Sequence, residues 1–200
     1  MPRANRNDLS VQRPQLTVRH TLPGSPRRAQ AERFVRDAFA RCYQAAISTF
    51  APNLLLLERD QRAIAVAGWR CAGDERLFLE CYLDTPVEAV VARLAGHPVQ
   101  RARIVEVGNL AADKAGGSID VIVTLAGHLH RLGYDWVVFT ATQELIGIFR
   151  KLGLSLLALA PADPQRLPEP VDDWGSYYAS APVVVAGRIR LALELFKAHG

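Results

Sequence analysis

One carboxylate, Glu106, interrupts the apolar run Ile104 to Val107. In an extended strand Ile104, Glu106 and Gly108 share one face, and Val105, Val107 and Asn109 the other. With apolar neighbours on both faces, this carboxylate is expected to be buried. A buried carboxylate must be paired, or its pKa rises. Glu106 therefore has two readings: an ion pair with Arg70, Arg101 or Arg103, or a general base poised near neutral pH. Glu80 is the second candidate for the catalytic site. It lies in "RLFLECYL", read as a strand in which Phe78, Glu80 and Tyr82 share a face.

Two further groups have chemical potential. In "NLAADKAGGS", Gly116 and Gly117 precede a helix read from about Ser118 to Leu132. Glycines there let backbone amides approach a ligand at a helix N-terminus, where the macrodipole favours anions. Lys114, one of only three lysines, adds a cation. A phosphate site and an ordinary strand-to-helix turn both fit. "WGSYY" packs Trp174, Tyr177 and Tyr178 into five residues. The cluster either walls a substrate or acyl pocket, with Tyr177 as a phenolic proton donor, or forms a clasp that pins a C-terminal strand. Thr140 and Thr142 end a strand and are placed to cap the next helix. His128 and His130 are two residues apart on a helix and face different ways, so no metal site is expected. Ser118 and Ser176 lack the Gly-x-Ser-x-Gly context of a strand-to-helix nucleophile.

These residues must be positioned by a mixed set of elements. "QLTVRH" reads as a first strand. Ser25 and Pro26 then begin a helix whose apolar stripe is Ala31, Phe34, Val35, Ala38, Phe39 and Cys42. "NLLLLERDQRAIAVAGWR" reads as two strands joined by the polar turn Arg59–Arg62. Thr85-Pro86-Val87-Glu88 has the form of a capping box opening a second helix. "RARIVEVGN", "DWVVFTAT" and "LSLLALA" are strands separated by helices, and "PVVVAGRIRLALELF" is a strand followed by a short helix. Antiparallel strands come first and strand–helix–strand crossovers later. The expected fold is α/β, with a mixed sheet covered by helices on both faces.

The 200 residues, half of them hydrophobic, are enough for one domain with a real core. The net charge of +4 is local. Residues 1–28 hold six arginines against one acid, Asp8, which leaves 18 basic and 19 acidic residues elsewhere. A nucleic-acid binder would carry its basic stripe on the folded part, so no nucleic-acid partner is expected. Residues 1–15 are read as a flexible basic arm and 16–200 as a single domain, with the arginine-rich stretch to residue 28 outside the core. Cys42, Cys71 and Cys81 show no Cys-x-x-Cys spacing and read as small buried hydrophobes. No secretory leader and no apolar run of about 18 residues is present, which points to a cytoplasmic protein with no transmembrane segment.

Taken together, "LFLECYLDTPVE", "IVEVGNLAADKAGG", "WVVFTAT", "LAPADPQRLP" and "WGSYY" resemble the thermostable hemolysin family of bacteria, from about Ala29 to Ile189. That family is in turn similar to the Gcn5-related N-acetyltransferase fold and to acyl-homoserine-lactone synthases. The resemblance implies a sheet splayed at its centre between "RARIVEVGN" and "WVVFTAT", with a thioester donor lying in the gap. It implies an acyltransferase of lipid metabolism that moves a fatty acyl group to an amine acceptor. Glu106 would be the base, with Glu80 and Tyr177 as further catalytic candidates. Asn109, Leu110, Lys114, Gly116, Gly117, Ser118 and Thr140 would contact the donor, and Trp174 and Tyr178 would line the acceptor or acyl pocket. In the usual phosphate loop, Gln or Arg stands where this chain has Asp113, and Gly or Ala where it has Ser118; Gly116 matches. Acyl-coenzyme A and an acyl-carrier-protein thioester both stay open as donors, and no metal is implied. The family's name suggests the alternative of a membrane-active or binding protein on a transferase-like fold, making peripheral membrane contact.

Overall fold

The computed structural model describes residues 16–113, 115–168 and 173–198. A seven-stranded mixed sheet forms its centre. In chain order the elements are β1 (Leu16–Thr21), α1 (Arg28–Tyr43), β2 (Asn53–Arg59), β3 (Arg62–Cys71), a 3₁₀ turn (Phe78–Tyr82), α2 (Val87–Ala95), β4 (Ile104–Ala112), α3 (Ala115–Arg131), β5 (Trp136–Ala141), α4 (Gln143–Lys151), β6 (Leu157–Pro161), β7 (Val183–Arg188) and α5 (Ile189–Ala198). The strand order is β1-β2-β3-β4-β5-β7-β6. Only β4 and β5 pair in parallel, through the α3 crossover; the other neighbours are antiparallel.

The unbroken leucine run of β2 has no polar face because both its faces are covered. Leu54 and Leu56 pack with Val35 and Phe39 of α1. Leu55 and Leu57 pack with Val121 and Leu125 of α3. The β2–β3 turn places Asp60 and Gln61 at φ 50° and 65°, both left-handed, as a two-residue hairpin requires.

Four expectations about the elements are corrected, and one about the cysteines. "RLFLECYL" is not a strand. Phe78–Tyr82 is a 3₁₀ turn, because its N–H groups find carboxylates instead of a neighbouring strand: Leu77 N–H donates to Glu80 (2.9 Å), and Phe78 and Leu79 N–H donate to Glu106. Phe78, Glu80 and Tyr82 therefore do not alternate along one strand face. Thr85 does not cap α2; the helix starts at Val87, whose N–H donates to Glu80 (3.0 Å), and Glu88 pairs with Arg101. Likewise α1 starts at Arg28, and Ser25 sits in the preceding turn, accepting from Leu22 N–H. Finally, the arginine-rich stretch belongs to the core from residue 16 onward. Glu58 is 1% exposed, and Arg19 and Arg27 neutralise it at 2.6 and 2.7 Å. Buried Arg28 donates to the carbonyls of Ala51 and Pro52. A carboxylate that is out of water needs such cations, and buried carbonyls need donors. Residues 1–15 lie outside the described residues. Cys42 is exposed, and Cys71 and Cys81 are only half-buried.

Candidate active site

The sheet opens at its centre. β4 and β5 are in register only at Ile104–Trp136, Val105–Val137 and Glu106–Val138. Beyond Glu106, β4 stays with β3 and β5 stays with β7, so the two strands part. A bulge in β4 accompanies the divergence. Val66 to Gly68 of β3 faces Ala111 to Gly108 of β4, and neither Asn109 nor Leu110 has a register partner. Asn109 takes φ 49°, a left-handed value that asparagine tolerates better than most residues. Its side chain holds the bulge in place: Oδ1 accepts from Ala51 N–H at 2.8 Å. Opposite it, Gly68 must lack a side chain, because a Cβ there would lie 2.8 Å from Leu54 and 3.0 Å from the Asn109 Oδ1.

Glu106 is the last paired residue before the gap. It is 7% exposed. Its carboxylate accepts from Phe78 N–H (2.8 Å) and Leu79 N–H (3.1 Å), and Arg70, its cross-strand neighbour, lies 3.6 Å away. Of the three arginines considered as partners, Arg70 is the one beside it; Arg101 pairs with Glu80 and Glu88, and Arg103 with Asp135. Burial pushes the carboxyl up to about 7, against the opposing pull of the Arg70 charge and the two N–H groups. The ion pair and the raised pKa thus coexist. A carboxylate has about four acceptor positions, so capacity is left for a substrate proton.

Glu80 has the opposite environment. Burial favours its neutral form, but the two-pronged hydrogen bond from Arg101 (2.7 and 2.8 Å), the N–H groups of Val87 and Leu77 and the Arg101 charge together bring it down to about 2. It is fully ionised near neutrality, ties the 3₁₀ turn to α2, and does not line the cleft at Glu106.

Glu106 borders a cleft of about 240 Å³ on the face of the sheet that carries α1 and α2. Eight of the chain's fifteen aromatic residues line it, Phe139 of β5 among them. Phe39 and Tyr43 come from α1, Phe78 and Tyr82 from the 3₁₀ turn, and Trp174, Tyr177 and Tyr178 from the segment before β7. The Tyr177 hydroxyl donates to the Thr140 carbonyl of β5 (3.4 Å), and the Tyr82 and Tyr178 hydroxyls meet at 2.5 Å. Burial raises the pKa of Tyr177 and of Tyr82, so both phenols stay protonated. "WGSYY" is at once wall and clasp. Ser176 N–H and its hydroxyl both donate to the Tyr43 carbonyl, at 2.8 and 3.1 Å. Gly175 sits so close that a Cβ would be 2.1 Å from the same oxygen. The clasp holds the end of α1 rather than the final strand alone. Thr140 lies within β5, and the capping role falls to Thr142, whose Oγ1 accepts from Leu145 N–H.

On the opposite face a second, apolar cavity of about 400 Å³ lies among α3, α4, α5 and the sheet. Val107, Leu110, Phe139 and Leu145 border both spaces, so the two meet at the splay. Gly116, Gly117 and Ser118 belong to the first turn of α3, which begins at Ala115 rather than Ser118. N–H groups in a first turn have no partner within the helix. Lys114 lies outside the described residues. Asp113 is paired with Arg62 (3.3 Å), which offsets an acid where phosphate-binding loops carry a neutral or basic residue. Tyr43 and Glu144 were not singled out from the sequence, and Phe78 and Tyr82 were read only as strand neighbours of Glu80: the four sit on three separate elements, and no local spacing brings them together. Among the described residues, no group of three or more His, Cys, Asp or Glu could hold a metal ion, and no helix is long and apolar enough to cross a membrane.

A sequence model of the thermostable hemolysins matches residues 21–193. The chain belongs to that family. No curated protein matches it. Solved structures share its fold at low identity. An N-acyl amino acid synthase from uncultured soil microbes, FeeM, superposes with TM-score 0.63 at 14% identity, over 90% of this chain and 94% of that one. A CoA-dependent acyl-homoserine lactone synthase, BjaI, solved with SAM and isopentyl-CoA, gives 0.60 at 12%, over 92% and 89%. A candidate N-acetyltransferase from Lactobacillus plantarum gives 0.52 at 11%, over 87% and 98%. The thermostable hemolysin chain therefore has an N-acetyltransferase-like fold: a mixed, centrally splayed sheet with helices on both faces.

Proposed function

We propose that this protein is an N-acyltransferase that moves a fatty acyl group from a thioester to an amine. The observation that carries the reading is the meeting, at one strand splay, of a buried carboxylate with a pKa near 7, an aromatic cleft and an apolar cavity. The acyl chain occupies the apolar cavity and the amine enters by the aromatic cleft. Backbone N–H groups of Asn109 and Leu110, released from the ladder by the bulge, polarise the thioester carbonyl. The first turn of α3, at Gly116, Gly117 and Ser118, receives the donor's phosphate with help from Lys114, and Thr140 lines the donor's path along β5.

In the reaction the amine nitrogen attacks the thioester carbon. A C–N bond forms, the C–S bond breaks, and the thiolate leaves. Glu106 takes the proton lost by the nitrogen, and Tyr177, turning from the Thr140 carbonyl, gives one to the departing sulfur; a proton returned through solvent from Glu106 restores both groups. Glu80 acts as a positioning residue, because its carboxylate holds the turn whose N–H groups orient Glu106. Trp174 and Tyr178 wall the acceptor side. Support for the donor class comes from the shared fold with a synthase that binds isopentyl-CoA; a carrier-protein thioester serves the same chemistry.

The test is thiol release from acyl-CoA or acyl-carrier protein by purified protein offered a panel of amines. Amine-dependent release that forms an amide and collapses in a Glu106 variant is expected. Absence of release with either donor, across chain lengths and amines, rejects the transferase.

A further inference from the structure

The reading above leaves the acceptor undefined, and the walls of the cleft narrow it. Two of its lining residues are ionisable carboxylates, and none of the described ones is an arginine or lysine. Glu106 is buried at the splay. Glu144 stands exposed in the first turn of α4, and pairs with no basic side chain among the described residues. Aromatic rings share the cleft with them: Tyr43 and Tyr177, and Tyr177 and Tyr178, meet edge to face at 5.2 Å, and Trp174 is tilted against Tyr177 at 5.5 Å.

Aromatic faces attract cations through the ring quadrupole, and more strongly where water is excluded. The same walls offer an anion little. An acceptor carboxylate in this space would lie near Glu106 and Glu144 without a guanidinium or ammonium to meet it, and desolvated like charges repel. The α4 N-terminus, a place where an anion is otherwise stabilised, is capped by the Thr142 hydroxyl and already has Glu144 in its first turn. The cleft's volume, about 240 Å³, is below the usual range of drug-sized pockets, so the acceptor is small.

Resting on the transferase reading, we infer that the acceptor is a small amine without a carboxylate, carrying a second cationic centre held between the aromatic walls and Glu144 while its reactive nitrogen lies at Glu106. The substrate class is thus a diamine or short polyamine rather than an α-amino acid. This differs from the solved relative named an N-acyl amino acid synthase. The product retains a positive charge and, with a fatty acyl chain, is a cationic amphiphile.

The experiment compares 1,4-diaminobutane, ornithine and butylamine. Ornithine adds only a carboxylate to the first probe, and butylamine lacks its second cation. Binding to the full chain without donor is measured by calorimetry and by quenching of tryptophan fluorescence, so the result does not depend on turnover. The diamine should bind about tenfold or more tightly than either of the others, the size of one desolvated cation–π contact. Glu144→Gln should weaken the diamine several-fold and leave butylamine nearly unchanged, and Trp174→Leu, followed by calorimetry, should weaken the diamine by more than butylamine. In thiol-release assays with octanoyl-CoA the same order should hold in kcat/KM. Equal or tighter binding of ornithine, or no measurable binding of the diamine at millimolar concentration, overturns the inference even if amino acids are acylated. Selective diamine binding with no acyl transfer from any donor would leave the cation site standing and reject the transferase.

Discussion

Glu106 does two jobs at once, and its substitutions must be read with both in mind. Its two oxygens accept from Phe78 and Leu79 N–H, so Glu106→Gln sets an amide NH₂ against one of these donors. The conservative volume does not protect the fold: a loss of about 1–3 kcal/mol is expected for the unsatisfied pair. Turnover should fall about 10²-fold or more, the usual worth of a general base. The pH profile separates the two effects. In the wild type, kcat/KM should climb tenfold per pH unit below about 7 and level off above it. A profile flat from pH 5 to 8 would show that the base lies elsewhere. Stability carries the same signature with a definite sign. The folded state binds this proton more tightly than the unfolded state does. The stabilisation from Glu106 is therefore complete below the unfolded value of 4.5 and lost as pH rises through about 7. Denaturant titrations across that window should show this slope in the wild type and not in the variant.

At the scale of elements, the 3₁₀ turn Phe78–Tyr82 links the site to the helical layer. Glu80 accepts from Leu77 and Val87 N–H and from both arms of Arg101, so one carboxylate fixes the turn, the start of α2 and the approach to β4. Glu80→Gln should lower stability by about 1–3 kcal/mol, because buried position 80 then sets an amide NH₂ against backbone donors and half-buried Arg101 keeps only Glu88 as a carboxylate partner. Its folded pKa is depressed to about 2 from 4.5. The contribution is thus present above pH 4.5 and lost as pH falls toward 2, the reverse of Glu106. Thermal melts at pH 7 and 3 check this: the gap between wild type and variant should narrow in acid. The first turn of α3 makes a separate demand. Gly116→Val should raise the donor's KM with little change in kcat, since a β-branched side chain keeps a phosphate from the backbone. Unchanged donor affinity by calorimetry would reduce those glycines to a turn.

For the whole molecule, Glu58 ties the segment holding Arg19 and Arg27 to β2. We propose that residues 16–200 act as one acyltransferase domain and that residues 1–14 are dispensable to it. Their removal should leave the melting temperature within a degree or two, whereas Arg27→Ala should destabilise by about 1–3 kcal/mol by stripping a buried carboxylate of a partner. The family name raises the question of lysis. In α5, Ile189 is buried and Leu193 packs with the α3 layer, while Leu191 is exposed, so most of its apolar residues are turned to the protein rather than left for a membrane. Lipid-free protein should release no dye from liposomes, while an organic extract of producing cells should lyse erythrocytes through the acylated amine. Lysis by the lipid-free protein, undiminished in Glu106→Gln, would favour a directly membrane-active role.

The sequence alone determined what periodicity and single residues can carry. The leucine run of β2, the two-residue hairpin after it and the bracketed strands β4 to β7 all follow from apolar spacing and turn chemistry. So does the isolation of Glu106, since a lone acid among branched apolar residues is marked in one dimension. What the tertiary structure decided are the contacts made between distant segments. Alternating hydrophobic residues at 77–83 read as a strand, but carboxylates at 80 and 106 took the backbone donors and closed a turn. Thr85 and Ser25 had capping chemistry, yet Glu80 and the chain's path outcompeted them. Arg19, Arg27 and Arg28 looked like solvated charge until Glu58 and the carbonyls of residues 51 and 52 claimed them. Of the cleft only "WGSYY" had a signature in the chain; its other rings come from α1, the 3₁₀ turn and β5, segments far apart in sequence. Local pattern records which side chains leave water; which of them meet, and therefore where chemistry is possible, is settled by packing across the sheet.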